Sequence, residues 1–560
     1  MSLRFLNKTN LIILLTVVVG CKKLDLTPLD KYTDDNFWTV DANAFNALAT
    51  CYQQQISGGQ SGSSSAAQAY IYNECLSDNA YCPLDVNVGT PSQIASGVDA
   101  NFNSGINRVK YEWGSYYVNI RSCNLFLENI DKNTTIASDV KDRMKAEARF
   151  LRAYALFRLT NLWGDVPLVT KVQTPEEAKT IARTPKADVV TYILSELDAA
   201  AAVLPTKDTQ AAADKGRITK GAAKAMKARV LLYNSRWAEC ATVCQELMAG
   251  TYGNYALQAK FADIFAVGNK YNSEIIHDLG YQPTVRTWSD WDQCGPFYTG
   301  PNSTGAGFNN NAPTQDLVES FLTLDGKGIF EPGSGYQEDT DPYSNRDPRL
   351  TYTVCYHGYQ WTNNEGTTTI YIKPGTAPDA SGKKNEYGAS TSTGYFWRKY
   401  FDPTPPKGTF NSGQNLIIQR WADILLMYAE SKVELNQFDA AVWDATIKKL
   451  RARAGFVNPL ALNYPGNTTM SMRDQVRNER RSELAFEALR YDDIRRWKIA
   501  EVVMNHPVGS EVRGAKFASG NTAFIKTVVR QFNPAKHYLW PIPKETLQTN
   551  SAIQQNPNWQ

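Results

Sequence analysis

VKDRMKAEARFLRAYALFRLTNL, residues Val140–Leu162, is the stretch that settles the fold class. Its apolar side chains Ala146, Phe150, Ala153, Tyr154, Phe157 and Leu162 recur mostly three and four positions apart, the repeat of one helical face. Arg143, Lys145, Arg149 and Arg152 fall on other faces. Gly164-Asp165-Val166-Pro167 ends the helix, because glycine supplies a C-cap and proline cannot continue the hydrogen-bond ladder. Further along, Thr219–Asn234 carries alanines at 222, 223, 225 and 228, and Trp237–Met248 follows after a very short turn. Two helices meeting through small residues are the pattern of a tetratricopeptide-like hairpin, although the repeat is not a clean 34-residue one. Asp41–Gln55, Trp113–Ile130, Lys186–Val203, Arg420–Leu435, Phe438–Ala454 and Met472–Arg490 also read as helices. The expected fold is mainly α: a degenerate tetratricopeptide-like scaffold of helical hairpins with an irregular, loop-rich half packed against it.

The two ends of the chain differ from this body. Arg4 and Lys8 precede an apolar run from Leu11 to Val19, broken only by Thr16. That run is shorter than the about 20 residues needed to span a bilayer. It ends in Val18-Val19-Gly20-Cys21, the pattern of a lipobox, in which the cysteine takes a lipid and becomes the new N-terminus. Residues 1–20 are therefore expected to be a lipoprotein signal peptide and 21–37 a polar, lipidated tether. Residues 38–560 form the body, with the helical scaffold over 38–279 and 414–505, the loop-rich region over 280–413 and a C-terminal tail over 506–560. Several acyl chains bury enough CH₂ groups, at about 0.8 kcal/mol each, for stable attachment.

Composition excludes some functions. The formal net charge is +3, two units of which belong to Arg4 and Lys8, and no long basic run suggests nucleic acid. The four histidines are scattered, so no metal spacing emerges. No cofactor is implied beyond the covalent lipid on Cys21, and a structural cation is not indicated. Cys240 and Cys244 stand i,i+4 on one helix, poor geometry for a disulfide, and read as small apolar residues; Cys75 and Cys82, flanking a turn, are the better pair. No GxSxG, HExxH, Walker A or GxGxxG motif occurs in a strand–helix context. Carboxylate pairs such as Asp290 and Asp292 are expected by chance among 56 acidic residues. Capture is therefore favoured over catalysis.

Several blocks, in this order along the chain, resemble the SusD/RagB family of outer-membrane nutrient-binding lipoproteins. They are Glu147–Tyr154 with Gly164–Leu168, Asn345-Arg346-Asp347-Pro348-Arg349-Leu350, and Arg420–Glu430 with Leu450–Gly455. Asn478–Glu487 running into Arg490–Trp497, Trp540-Pro541-Ile542-Pro543, and Gln555-Asn556-Pro557 complete the set. The resemblance implies a lipid-anchored, surface-facing location at the outer membrane. It implies a TonB-dependent transporter barrel of the SusC/RagA kind as partner, over which the protein acts as a lid. Glycan is the ligand of most relatives, so delivery of oligo- or polysaccharide is the expected function, with oligopeptide capture as the alternative; a glycan-active enzyme or a structural envelope protein ranks behind both.

The charged motif residues read as scaffold rather than site. Glu479, Arg480, Arg481, Glu483, Glu487, Arg490, Asp492, Arg495 and Arg496 mix both signs, and Arg–carboxylate pairs can be bidentate. Arg149, Arg152 and Asp165 read the same way, and Arg346, Asp347 and Arg349 are expected to pin the irregular half to the helices. Ligand binding is expected in two loops, since sugars need aromatic platforms and a few polar side chains. One loop is Ser77–Trp113, with Asp78, Asn79, Tyr81, Phe102 and Tyr111. The other is Tyr281–Asn311, with Trp288, Asp290, Trp291, Asp292, Gln293, Phe297, Tyr298, Asn309 and Asn310. Tyr359 and Trp361, like Tyr395 and Trp397, alternate as on short strands, where core packing is the default; Trp361 is kept as a further ligand candidate.

Overall fold

The computed structural model describes residues 34–55, 70–82, 91–97, 102–285, 309, 311–363, 366–389, 391–402, 412–505, 511–516 and 523–559. Helices dominate. In chain order they include α1 (Asp41–Gln53), α2 (Asn107–Asn129), α3 (Ser138–Trp163), α4 (Lys186–Val203), α5 (Lys220–Tyr233), α6 (Trp237–Met248), α7 (Gln315–Ser320), α8 (Trp421–Glu434), α9 (Ile447–Ala454), α10 (Met472–Leu484) and α11 (Arg490–Arg496). The short strands used below are β1 (Ala80–Tyr81), β2 (Ile275–Leu279), β3 (Ala312–Pro313), β4 (Tyr359–Asn363), β5 (Gly366–Ile370), β6 (Leu416–Arg420), β7 (Glu511–Arg513) and β8 (Lys526–Val529).

Helix α3 is the centre of the scaffold. It packs on α2 and α4, and the succession continues from α4 to α5, α5 to α6, α6 to α8 and α8 to α10. Every residue from Leu151 to Thr160 is buried, so this part of α3 is enclosed on all sides rather than amphipathic. Its arginines are correspondingly paired: Arg152 donates to Glu196 and Asn124, and Arg158 reaches Asp492 at 2.8 Å. Gly164 caps α3 in the left-handed region at φ 77°, its N–H donating to Thr160 O, where a side chain would be strained. The tail straps this end. Trp540 N–H donates to Leu162 O, and its indole meets Trp163 edge-on with centroids 5.4 Å apart. Asn556 clips both tryptophans by donating to Trp163 O and Trp540 O.

Two scaffold segments far apart in sequence are sewn together by a strand pair. β2 and β6 run antiparallel, from Ile275 opposite Arg420 to Leu279 opposite Leu416, and all ten residues are buried. Helix α8 starts directly after β6, and Trp421 N–H donates to Glu274 O. The loop-rich region thus leaves and re-enters the scaffold at one place. Its described residues include α7, where the sequence expects a helix over Thr314–Leu322, and also β3 and the β4–β5 hairpin. Tyr359, Trp361, Tyr395 and Trp397 all point into the core.

The charged motifs form the internal framework. Arg349, Lys399, Arg420, Arg451 and Arg453 pair with Glu274, Asp347, Glu479, Glu483 and Glu487, and none of these side chains is more than 4 % exposed. Arg420 alone donates to Glu274 and Glu483 at 2.7 and 2.6 Å and takes Glu487 with both Nε and Nη2. Burial works against the Glu483 carboxylate, but Arg453, Arg420 and Arg349 outweigh it and hold the group well below the usual range. A second set links Arg480 to Asp423 and Asp493, and Arg229 to Asp423. Buried ion pairs of this kind are costly to break on one side, because the partner left behind is an uncompensated charge. Arg346 fastens the irregular half in another way, donating to the carbonyls of Val318, Phe321 and Pro342. Cysteine geometry corrects one expectation. Cys75 and Cys82 are buried thiols, and Cys75 donates to Asn311 Oδ1 instead of bonding to Cys82. Cys240 and Cys244 are also buried thiols, 4.0 Å apart.

Candidate functional site

Described ends of the two segments singled out in the sequence meet in one strand pair, the stem. β1 pairs antiparallel with β3, Ala80 opposite Pro313 and Tyr81 opposite Ala312. Thr314 completes the junction: its N–H and hydroxyl donate to Asn79 O, the hydroxyl also to Asp78 O, and the same hydroxyl caps α7 through Leu317 N–H. Asn309 fastens the end of the second loop, its amide donating to Thr391 Oγ1 and Tyr395 O, each at 2.8 Å. The hairpin β7–β8 closes the other side, where Ala515 N–H donates to Thr393 O and Arg513 pairs with Asp316 and Glu319. Four stretches of chain therefore converge: 79–82, 309–314, 391–395 and 511–516.

Below the stem lies a charged footing. Arg490 grips Asp78 with Nε and Nη2 at 2.8 and 2.9 Å, and Arg481 reaches the same carboxylate at 2.8 Å. Burial would raise the Asp78 carboxyl, but these two guanidiniums hold it well below the usual range. Arg530 binds three carbonyls of the turn, those of Ser77, Cys75 and Ala80. Glu74 behaves differently. Fully buried, it accepts from Asn79 Nδ2 and Phe486 N–H, and burial pushes its carboxyl up to about 7. Glu74, Asp78, Arg490 and Arg530 of this footing are all buried. Among the described residues no cluster of His, Cys, Asp and Glu could hold a metal.

The structure sorts the residues proposed from sequence. Tyr81 sits half-buried on the stem. Asn79 is fully buried, donating to Glu74 and accepting from Arg481 Nε at 2.8 Å, so it is a strut of the stem and not a ligand contact. Asn309 is likewise fully buried as the loop clip. Trp361 is 1 % exposed between Arg398, 4.6 Å from its ring, and Phe401, so it is a core residue and leaves the ligand surface. Phe102 is buried against Trp540 and Trp559, whereas Tyr111 is exposed. Trp288, Asp290, Trp291, Asp292, Gln293, Phe297, Tyr298 and Asn310 lie outside the described residues, as does Cys21. Sequence reading missed an aromatic ladder beside the stem. Tyr343 and Tyr356 stack face to face, centroids 3.9 Å apart, and both are half-buried against the core. Tyr343 hydroxyl donates to Tyr395 hydroxyl, which donates to Gln315 at the start of α7. Tyr343 and Tyr356 are thirteen positions apart, on either side of a short helix at Arg349–Thr353, a spacing that carries no periodic signal.

The described residues thus form a buried, ion-paired base beneath the β1–β3 pair. The chain as a whole is similar to known proteins. A model described as "SusD family" matches residues 273–559, and one described as "Starch-binding associating with outer membrane" matches 87–232. SusD-like protein P25 of Formosa agariphila is 27% identical over 462 residues, covering 79% of this chain and 77% of its own. SusD-like protein P2 of the same organism is 25% identical, with 98% of each chain covered. The crystal structure of a SusD-like carbohydrate binding protein from Bacteroides fragilis superposes with a TM-score of 0.78 at 30% identity, over 92% of this chain and 100% of that one. A laminarin binding SusD-like protein shares the fold at a TM-score of 0.68 and 22% identity, over 93% and 99% of the two chains. With the helical succession, the loop stem and the ion-paired motifs all in place, this chain belongs to the SusD family.

Proposed function

We propose that the mature protein, anchored by a lipid on Cys21 and a tether to residue 37, captures oligo- or polysaccharide at the outer-membrane surface. It passes the ligand to a TonB-dependent transporter barrel and performs no chemistry on it. The observation that supports this reading is the β1–β3 pair, which joins the described ends of the two segments whose sequences carry the aromatic candidates. Trp288, Trp291 and Tyr298 supply stacking faces, and Asp290 and neighbouring amides take hydroxyls. The half-buried Tyr343–Tyr356 stack, linked through Tyr395 to Gln315, offers a further aromatic edge. A relative described as carbohydrate binding and a neighbour described as laminarin binding support glycan as the ligand class.

The test is calorimetry of the mature chain against α- and β-glucan oligosaccharides and a set of oligopeptides, with Trp288→Ala/Trp291→Ala alongside. Saturable glycan binding that the double variant loses is the expected result. Binding confined to peptides would replace the glycan reading by oligopeptide capture. Glycan binding indifferent to both tryptophans would move the site off these loops.

A further inference from the structure

A cavity of about 430 Å³ opens where α2 meets two later segments, the chain just after α3 and the C-terminal tail. Three fastenings fix its shape. Tyr117 hydroxyl donates to Pro167 O at 3.0 Å, Asn124 donates to Val169 O and Lys171 O, and Asn550 donates to Ala178 O and Ile181 O. Val169, Pro175, Ile181 and Ile553 give it apolar walls. No Asp or Glu stands among the described residues of the wall, and none of the wall belongs to the β1–β3 stem.

One wall residue is a buried donor left unused. Trp113 is 7 % exposed, its ring held by Tyr117 and met edge-on by Trp163, with centroids 5.0 and 5.2 Å away. Trp163 and Trp540, in the same aromatic group, donate their indole N–H groups to Pro541 O and Tyr491 hydroxyl. The Trp113 N–H has no hydrogen-bond partner among the described residues, and its nitrogen is open to the cavity rather than enclosed by protein. A buried indole N–H ordinarily finds an acceptor, so an occupant is the natural source of one. Arg121 lies eight residues further along α2, about 12 Å of helix, and stands exposed at the rim. It has neither an ion pair nor a hydrogen bond among the described residues, whereas Lys171 on the same rim is paired with Glu177 at 2.8 Å.

The volume falls within the roughly 300–1,000 Å³ of small-molecule clefts. Apolar walls suit a hydrocarbon body, and the flat ring of an aromatic body packs on proline and tyrosine. The indole N–H is a donor only and takes an oxygen. A guanidinium without a carboxylate partner, beside a wall free of acidic groups, takes a carboxylate. We propose that this cavity is a ligand site for a hydroxyaryl carboxylate, an aromatic acid whose hydroxyl lies at the end remote from the carboxylate. Trp113 N–H donates to the hydroxyl oxygen, and Arg121 holds the carboxylate at the rim. The proposal does not depend on glycan capture.

Calorimetry of the mature chain with para-hydroxyphenylpropionate, phenylpropionate and para-hydroxyphenylpropanol tests it, the second probe lacking the hydroxyl and the third the carboxylate. The proteins are wild type, Trp113→Phe, Arg121→Met, Ala178→Phe and Trp288→Ala/Trp291→Ala, each verified for fold by circular dichroism. Para-hydroxyphenylpropionate is expected to bind the wild type, and the other two probes more weakly. Arg121→Met is expected to weaken it roughly 10- to 100-fold, the range for a hydrogen bond to a charged group, and to erase its advantage over the propanol. Trp113→Phe is expected to cost about 2- to 10-fold, the range for a neutral hydrogen bond, and to erase its advantage over phenylpropionate. Ala178→Phe adds bulk at an exposed wall position and is expected to abolish binding, while the loop tryptophan variant leaves it unchanged. The proposal is overturned if para-hydroxyphenylpropionate does not bind, if the three probes bind equally, or if folded Arg121→Met or Trp113→Phe keeps the wild-type preferences. It is overturned as well if binding survives in folded Ala178→Phe or is lost in the loop tryptophan variant. Oligosaccharide binding lost in Ala178→Phe would give the cavity to glycan, and a dimer in sedimentation velocity that Ala178→Phe dissociates would give it to a second copy of the chain; either result overturns the proposal.

Discussion

Arg420→Met removes the centre of the buried ion-pair cluster while keeping much of the side chain's bulk. In the wild type five cations face five carboxylates, all at most 4 % exposed. The variant leaves four cations for the same five acids. Glu487 keeps Lys399 at 2.6 Å but loses both Arg420 contacts, Glu274 keeps Arg453, and Glu483 keeps Arg349 and Arg453. One excess negative charge must be accommodated in the core, and breaking a buried pair on one side costs about 3–5 kcal/mol. The assay is urea unfolding of variant and wild type at pH 8 and pH 5. The sign of the pH effect identifies the cause. An orphaned carboxylate in the folded variant has a raised pKa, so its penalty is full well above that pKa and is relieved as the pH falls through it. The loss should therefore be larger at pH 8 than at pH 5. A loss below about 1 kcal/mol, or one equal at both pH values, would refute the reasoning, the first because no charge was stranded and the second because only packing was lost.

Arg481→Ala removes the contacts to Asn79 and Asp78, but Asp78 keeps the two-point grip of Arg490; a loss of about 1.5–3 kcal/mol is expected, with ligand affinity changed far less, and an unchanged melting temperature would rule this out. For Glu74, the folded pKa of about 7 stands above the ordinary 4.5, so its contribution is full below about 4.5 and is lost as the pH rises through about 7. Glu74→Gln should flatten the fall in stability across that window, as read by melting temperature against pH. Trp540→Ala empties the space between Trp163 and Phe102 and unseats the indole N–H from Tyr491 hydroxyl, at a cost of about 3–5 kcal/mol; limited proteolysis should cut the C-terminal tail first.

The mainly helical architecture was legible in the sequence because its signals are local. The period of Val140–Leu162, the stop at Gly164–Pro167 and the alanine-rich seam of Thr219–Asn234 each depend on neighbours within a few positions. The scaffold role of the mixed-charge blocks was legible too, since so many arginines and carboxylates on one helix have few uses besides pairing. The inward packing of Tyr359, Trp361, Tyr395 and Trp397 followed from their alternation. Which polar side chains would face a ligand was not legible. Asn79 and Asn309 look alike in sequence to amides of a binding loop. Asn79 became a strut because Arg481, 402 positions away, donates to it, and Asn309 became a clip because Thr391 and Tyr395 stand beside it. The Tyr343–Tyr356 stack and the cavity beside Trp113 likewise join residues with no pattern linking them. By itself the sequence determined most scaffold helices, their order and the stock of charges that would pair inside, but not the breaks at Thr446 and after Leu484 within Phe438–Ala454 and Met472–Arg490. The exposure of a side chain depends on what distant chain folds over it, so only the tertiary structure decided which aromatics and amides are surface and which are core.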